Sequence, residues 1–154
     1  MLDTADVPLR LVAALVCGVV LGLNRQLHGK MAGVRTQGVV ALGAALATIA
    51  GTMADGSGAG VTRVMQGIVA GVGFLGAGVI VKSARSQAVH GLTTAAITWL
   101  SAALGIACGA GLYLPALSTL VLTLALLWFG PRVEAWMHRR WPVTEDAHSE
   151  GVSQ

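Results

Sequence analysis

The sequence predicts an all-α integral membrane protein built as a bundle of five transmembrane helices. Only 11% of its 154 residues are charged and 55% are hydrophobic, whereas a soluble domain has about 25% charged residues. Uncharged apolar runs alternate with short connectors that hold most of the polar residues. The spans are expected to form one membrane domain, residues 1–130, followed by a basic and aromatic segment, residues 131–154.

The first two spans are predicted at about Val7–Leu23 and Gln37–Ala54. The uncharged core of the first, Leu11–Leu23, has only 13 residues, which is short against the roughly 20 needed to cross a bilayer. Its flanking arginines must therefore extend their aliphatic stems toward the headgroups. Asp3 and Asp6 lie where a signal peptide would carry basic residues, so we expect this span to be retained.

The third span is the uncharged run Val64–Val81, 18 residues long and rich in glycine. Its Gly71-x-Gly73-x-x-Gly76 also matches the dinucleotide-binding fingerprint. That fingerprint requires a preceding strand, a following helix and an acidic residue about 20 positions downstream, and the chain has no acid near that position. The length and the absence of charge favour a transmembrane helix whose glycines let neighbouring backbones approach closely, and we interpret it as the central packing helix.

The remaining apolar sequence predicts two more spans. The 46 residues from Ser86 to Pro131 contain no Asp, Glu, Lys or Arg, which is too long for one helix. Glycines 109 and 111 and Pro115 interrupt the run, because glycine and proline are poor helix formers. We therefore predict spans at about Leu92–Cys108 and Leu114–Phe129, the latter leucine-rich and facing lipid.

Beyond the fifth span, Val133, Trp136, Met137 and Trp141 share one helical face flanked by arginines. This pattern is typical of a short helix lying in the headgroup region. A simple flank with interfacial tryptophans is the alternative. Residues after Pro142 are polar and expected to be disordered.

The cations predict the orientation of the bundle. With five spans, the connectors after spans one and three share a side with the C-terminal tail, and they hold eight of the ten Lys and Arg residues. The other side holds Arg10 and Arg63. Because cytoplasmic loops carry an excess of Lys and Arg, the N-terminus is predicted to lie outside and the C-terminus in the cytoplasm.

The distribution of reactive residues argues against an enzyme. Every Asp and Glu lies in a terminus or at Asp55 in a connector, whereas intramembrane acids mark ion pathways and proton relays. Cys17 and Cys108 have no metal-type spacing and are interpreted as small buried hydrophobes. No catalytic set, metal site or cofactor is expected, and the net charge of +3 is too small to indicate nucleic acid.

Polar residues at the predicted cytoplasmic side form a candidate site, here called the basic mouth. It would bind an anion, a lipid phosphate or an acidic segment of a partner. Topology alone is the alternative; we favour it for Lys82, and both interpretations stay open for Arg25 and Arg35. For Thr93 and Thr94 we favour the bonding of helix-end backbone groups. The basic mouth comprises Asn24, Arg25, Arg35, Thr36, Lys82, His90, Thr93 and Thr94.

Pairs of glycines spaced four apart predict close helix contacts on three of the spans. They are Gly18 with Gly22, Gly67 with Gly71, and Gly105 with Gly109.

Several stretches form an ordered set of motifs. They are Leu21-Gly-Leu-Asn-Arg-Gln26, Ala32-Gly-Val-Arg-Thr36, Gly71-Val-Gly-Phe-Leu-Gly-Ala-Gly-Val-Ile80 and Val89-His-Gly-Leu-Thr-Thr-Ala-Ala-Ile-Thr-Trp99, followed by Ser101-Ala-Ala-Leu-Gly105. In this order and spacing they resemble the MgtC/SapB family of bacterial inner-membrane proteins, over about residues 8–129. Carried over by motif, the resemblance adds further positions to the expected packing set: Gly33, Gly73, Gly76, Gly78, Gly91 and Trp99.

The resemblance implies a five-helix domain of the bacterial inner membrane with regulatory rather than enzymatic activity. For MgtC-like members it also implies adaptation to low magnesium, virulence inside macrophages and restraint of the ATP synthase. The family commonly has Glu where this chain has Asn24. MgtC also continues into a soluble C-terminal domain, so the short, SapB-like form is the expected comparison.

Two functions follow from the sequence. The first is a regulator that acts through helix–helix contacts, either with itself as a homo-oligomer, most simply a dimer, or with a membrane partner such as ATP synthase. The alternative is a transporter or channel for an ion, a lipid or a small solute that uses the basic mouth.

Overall fold

The computed structural model describes residues 4–54, 58–82 and 89–141. A short 3₁₀ turn, Thr4–Asp6, precedes the first helix, and all five α-helices are long and apolar enough to cross a membrane. The helices are α1 (Val7–Leu27), α2 (Val34–Ala54), α3 (Ala59–Gly78), α4 (Leu92–Gly109) and α5 (Tyr113–Arg140). The prediction of a helical membrane protein with five spans is confirmed.

Between α3 and α4 the structure adds a minimal antiparallel pairing that the sequence analysis did not include. Strand β1 (Val81–Lys82) pairs with β2 (Val89–His90), so that Val81 lies opposite His90 and Lys82 opposite Val89. Across the described residues this two-residue ladder is the only strand pairing.

Most helices extend beyond the predicted spans, because hydropathy marks the part that suits lipid rather than the end of the helix; α3 begins before the predicted Val64 but ends at Gly78, short of the predicted Val81. α1 continues to Leu27, and α2 begins at Val34. α5 runs through Pro131 to Arg140 without a break. The predicted position of residues 131–140 in the headgroup region stays a prediction.

The chain forms two compact units, Met1–Val121 and Leu122–Gln154. In the first, α1, α2 and α4 pack against one another and share the buried core. Glycines make this packing close. A Cβ at Gly18 would lie 2.5 Å from the backbone carbonyl oxygen of Gln37. A Cβ at Gly105 would collide with the backbone carbonyl oxygen of Ala41. Backbones can approach this closely only where no side chain intervenes.

α3 is peripheral, so the interpretation of this span as the central packing helix is wrong. Its only buried residues are Val72 and Gly76, which face α4 and the groove beside α2. A Cβ added at any of the other predicted packing glycines of α3 would meet no described atom within 4 Å. The predicted contacts of these glycines with the described helices are therefore absent, for a geometric reason: they lie away from the single face that α3 packs. They are Gly67, Gly71, Gly73 and Gly78.

Arg10 links the start of α1 to the end of α4. Its Nη1 donates a hydrogen bond of 2.8 Å to the carbonyl oxygen of Gly109, the last residue of α4. A cation at the C-terminus of a helix is stabilised by the helix dipole. The turn that follows places Gly111 at φ +80° against the Arg10 guanidinium.

In the second unit, the described residues are the C-terminal part of α5 and Trp141. The guanidinium of Arg132 lies 4.8 Å from the centre of the Trp128 ring, a cation–π contact. The same guanidinium donates to the Trp128 carbonyl oxygen at 2.7 Å. The ring of Phe129 packs against that of Trp128 at 4.9 Å.

Gly105→Ala tests the close packing of α2 against α4. The added methyl group collides with the Ala41 carbonyl oxygen, and overpacking of this kind costs about 1–3 kcal/mol. Gly43→Ala is the matched control: no described atom lies within 4 Å of its new Cβ, and alanine favours a helix over glycine by about 0.5–1 kcal/mol. We expect SDS titration of the purified protein, followed by circular dichroism, to show an earlier unfolding midpoint for Gly105→Ala only. Equal midpoints would contradict the contact.

Candidate functional site

A network of buried polar side chains joins the three core helices. Its members are at most 6% exposed, which is unusual for polar groups unless they bond to one another. They come from the end of α1, the start of α2 and the first ten residues of α4. This polar network comprises Arg25, Gln37, Thr94, Thr98 and Ser101.

Hydrogen bonds connect the network from end to end. Arg25 Nη2 donates to Thr94 Oγ1 at 2.7 Å, and Thr98 Oγ1 donates to the Thr94 carbonyl oxygen at 2.9 Å. Gln37 Nε2 donates to Thr98 Oγ1 at 3.1 Å, and Ser101 Oγ donates to the Gln37 carbonyl oxygen at 3.0 Å. The bonds tie α4 to both α1 and α2.

The local sequence explains this arrangement. Thr94, Thr98 and Ser101 are spaced by four and three residues, so they lie on one face of α4. Gly22 brings α1 into backbone contact with the start of α2, where a Cβ would lie 2.5 Å from the Val34 Cα. In a bilayer such side chains have no water to bond, so they bond to one another across the helices, although Arg25 Nε and Gln37 Oε1 are buried without a partner among the described residues.

Arg25 is the unusual member, because it is a buried cation without a carboxylate partner among the described residues. It is 6% exposed, and its Nε is buried and makes no hydrogen bond. The only described acid of the first unit is Asp6, which precedes α1. It lies 19 residues away along the helix, about 28 Å at 1.5 Å per residue.

Among the side chains that the structure describes, one hydrogen bond joins two residues of the basic mouth, Arg25 and Thr94. Thr94 accepts a hydrogen bond from Arg25, which corrects the favoured expectation that its hydroxyl serves only the backbone of the helix end. The other members whose side chains are described differ from these two because they are half-buried or exposed. Asn24 is half-buried, and its backbone carbonyl oxygen lies 2.7 Å from His28 Nδ1. Exposed side chains belong to Arg35, Thr36, His90 and Thr93.

Lys82 lies in β1, where its backbone pairs with Val89. This pairing holds the first part of the α3–α4 connector beside its last part, the two residues that precede Gly91. Gly91 itself has φ +96°, and a Cβ there would collide with the Val79 carbonyl oxygen. The chain therefore requires glycine at the residue before α4.

Sequence reasoning missed three members of the polar network as site residues: Gln37, Thr98 and Ser101. The spacing of Thr94, Thr98 and Ser101 was the available signal. A face of hydroxyl groups on a span that must be buried indicates partners on neighbouring helices. Nothing in the sequence shows that Gln37 is the partner, because the contact joins residues 61 positions apart.

Only some of the predicted packing residues make close contacts between the core helices. Gly18, Gly22, Gly105 and Gly109 make close contacts in the core. Of the others, Gly33 faces Gln26 and Gly76 faces Ala95. Trp99 is 45% exposed and so packs only partly against the bundle.

Cys17 and Cys108 are buried free thiols. Among the described residues no group of three or more His, Cys, Asp or Glu side chains is placed to hold a metal ion.

Comparison with known proteins identifies the family. Residues 11–136 match the family model described as the MgtC family. The chain belongs to the MgtC family. The resemblance carried by the sequence motifs is thereby confirmed, and with five spanning helices this MgtC-family chain is a multi-pass membrane protein.

Among its relatives is Protein SrpB of Synechococcus elongatus, 41% identical over 152 residues, which cover 90% of this chain and 84% of SrpB. Protein MgtC of Brucella abortus is 45% identical over 102 residues, 66% of this chain and 42% of that protein. Protein MgtC of Salmonella typhimurium is 40% identical over 116 residues, 75% of this chain and 48% of that protein. The match thus spans less than half the length of these MgtC proteins. No solved structure matches the chain.

Thr94→Val tests the bond that holds Arg25. The substitution keeps the shape of the side chain but removes the acceptor for Arg25 Nη2, and a buried charged donor left unpaired costs about 1–3 kcal/mol or more. Thr93→Val, the same change at the exposed neighbouring residue, should stay within about 0.5 kcal/mol. The measurement is again the unfolding midpoint in an SDS titration followed by circular dichroism. A Thr94→Val midpoint equal to that of Thr93→Val would refute the role of this bond.

Proposed function

We propose that this MgtC-family chain is a non-enzymatic regulator of the bacterial inner membrane that acts by helix–helix association through α3. The first partner is a second copy of the chain, which gives a homodimer. The observation that carries the proposal is the outward face of α3, which presents glycines where a helix surrounded by lipid would present large apolar side chains.

Helical geometry defines this α3 face as Gly67, Gly71, Phe74 and Gly78. At 100° per residue these four positions fall within about 60° of one another. They lie opposite the buried residues Val72 and Gly76. Phe74 is 83% exposed, and a Cβ at any of the three glycines would meet no described atom within 4 Å.

α5, which we expect to face lipid, provides a comparison for α3. Its exposed side chains in the first unit are large, with Leu114, Leu117 and Val121 each more than half exposed. An α3 face of glycines gives little contact with lipid but allows another backbone to approach closely, and close approach drives association of transmembrane helices.

A groove beside the α3 face supports the same conclusion. It lies between α2 and α3, is open to the surroundings and has a volume of about 350 Å³. Its walls are apolar, and each contains a glycine: Gly43 on α2 and Gly71 on α3. Apolar side chains of a partner helix that contacts Gly71 would fill this groove.

The proposal accommodates the roles that family resemblance implies. Under it, a partner such as ATP synthase would be recognised through the same α3 face, and adaptation to low magnesium or virulence would follow from that contact. The excess of Lys and Arg in the connectors and tail supports an orientation with the C-terminus in the cytoplasm.

The polar network favours a second candidate, passage of an ion, a lipid or a small solute. It places hydrogen-bonding groups between the core helices, from Arg25 on α1 to Ser101 on α4, and intramembrane polar groups often mark transport pathways. Flux into liposomes that depends on Arg25 would support this candidate, and the absence of flux for every tested solute would exclude it.

Gly71→Leu tests association through α3. Leucine on the α3 face separates the two backbones, so we expect the dissociation constant of the dimer to rise about tenfold or more, or about 1.4 kcal/mol. The measurement is energy transfer between differently labelled copies in liposomes as the lipid-to-protein ratio is increased. Gly76 is unsuitable for this test because it packs on Ala95 within the chain.

Gly130→Leu is the matched control, since it makes the same change at an α5 glycine whose Cβ would also meet no described atom within 4 Å. It should leave association unchanged. Energy transfer that is equally strong in wild type and Gly71→Leu would show that α3 does not mediate self-association. A protein monomeric at all dilutions would direct the search to a different membrane partner.

A further inference from the structure

We propose that Arg25 and the first turn of α4 form a binding site for a phosphate-type oxyanion. The site lies where α1 ends and α4 begins, on the opposite side of the core from the Arg10 contact. It is independent of the association proposed for α3, and its ligand is recognised by charge and by hydrogen-bond acceptors.

The first argument is the state of the guanidinium. Arg25 is 94% buried, since only 6% of it is exposed. A buried charge is costly unless a counter-charge and hydrogen bonds compensate it. The only hydrogen-bond partner found for it among the described residues is the neutral hydroxyl of Thr94, and Nε makes no bond. Within the described part of the chain the guanidinium thus has no counter-charge, and its Nε has no acceptor.

The second argument is the helix end that Arg25 approaches. Thr94 is the third residue of α4, so the guanidinium lies at the positive end of the α4 dipole. The residue before α4 is Gly91, which provides no side-chain cap, and the first turn contains no acid. The amides of Leu92, Thr93 and Thr94 have no acceptor within the helix, as at every helix N-terminus.

These two features repel each other electrostatically and attract the same ligand. An anion at this point would accept hydrogen bonds from the Arg25 guanidinium and from the α4 amides, and would neutralise the positive charge of both. Helix N-termini bind phosphate in this way, and an arginine adds charge-assisted hydrogen bonds to phosphate oxygens. The negative end of the α1 dipole, where Arg25 also lies, offsets only part of the charge.

The surroundings provide further attraction. Lys30 in the α1–α2 connector and Arg35 in the first turn of α2 are exposed cations at the same end of the core. Exposed cations raise the local concentration of anions without fixing their position. The antiparallel pairing of Val81–Lys82 with Val89–His90, together with the left-handed Gly91, holds the α4 N-terminus in place.

A phosphate group at this site has two sources, free inorganic phosphate or the headgroup of an anionic lipid. The experiment uses the full chain in nanodiscs of phosphatidylcholine. One arm titrates inorganic phosphate against chloride at constant ionic strength and measures binding by calorimetry. The other replaces a fraction of the lipid with phosphatidic acid and measures retained lipid by native mass spectrometry.

Arg25→Gln and Arg35→Gln are the matched variants, since both remove one arginine charge at the same end of the core. We expect wild type and Arg35→Gln to bind saturably in at least one arm, and Arg25→Gln to bind at least tenfold more weakly in that arm. Binding of phosphate alone identifies a free anion, and binding of phosphatidic acid alone identifies a headgroup; both support the site.

Arg25→Lys keeps the proposal testable if Arg25→Gln fails to fold. It retains the charge but lacks the planar fork of guanidinium donors, so it should weaken binding about tenfold, while Arg35→Lys should not. Equal weakening by the Arg25 and Arg35 variants would indicate attraction by net charge only and would overturn the proposal. An absence of binding in both arms would also overturn it. Dimerisation in the energy-transfer assay serves as the separate readout for the α3 proposal.

Discussion

The close approach of α2 to both α1 and α4 is the constraint on which the first unit depends. Gly18 and Gly22 of α1 and Gly105 and Gly109 of α4 lie against the backbone or small side chains of α2. Helices at such distances gain packing contacts that lipid cannot replace. They also bring polar side chains from different helices within hydrogen-bonding distance, which larger residues at the interfaces would prevent.

The polar network follows from this closeness. Gln37 can reach Thr98 and Ser101 can reach the Gln37 backbone only because α2 and α4 are so near. In a medium without water, each of these bonds removes a group that would otherwise be unsatisfied. Arg25 lies at the end of the network, where the Thr94 hydroxyl is the acceptor found for it among the described residues, and this shortage of acceptors is the basis of the oxyanion proposal.

The sequence was sufficient to predict the five spans, because their length and lack of charge reflect a direct physical requirement of the bilayer. It also predicted the core contacts of Gly18 and Gly105. It could not distinguish them from Gly71, since small residues on a helix permit a close contact without showing whether its partner belongs to the same chain. Only the packing of α3 through Val72 and Gly76 decides which glycines face outward.

The candidate site was less predictable for a related reason. A cation beside a span is expected from topology alone, so Arg25 and Arg35 looked alike in the sequence. The structure separates them by burial, because Arg25 lies in the last turn of α1 facing α4 and Arg35 is exposed on α2. The partner of Arg25 is 69 residues away along the chain, a separation that no local pattern encodes.

The two arginines of α1 also fix how α1 and α4 can move. Arg10 bonds to Gly109 and Arg25 bonds to Thr94, so the helices are antiparallel and their attachment points are 15 residues apart on each. At 1.5 Å per residue that is about 22 Å of matched length. A piston-like shift of one helix along the other would strain the arginine contacts at both ends together, whereas rotation or tilting of the pair as a whole would preserve them.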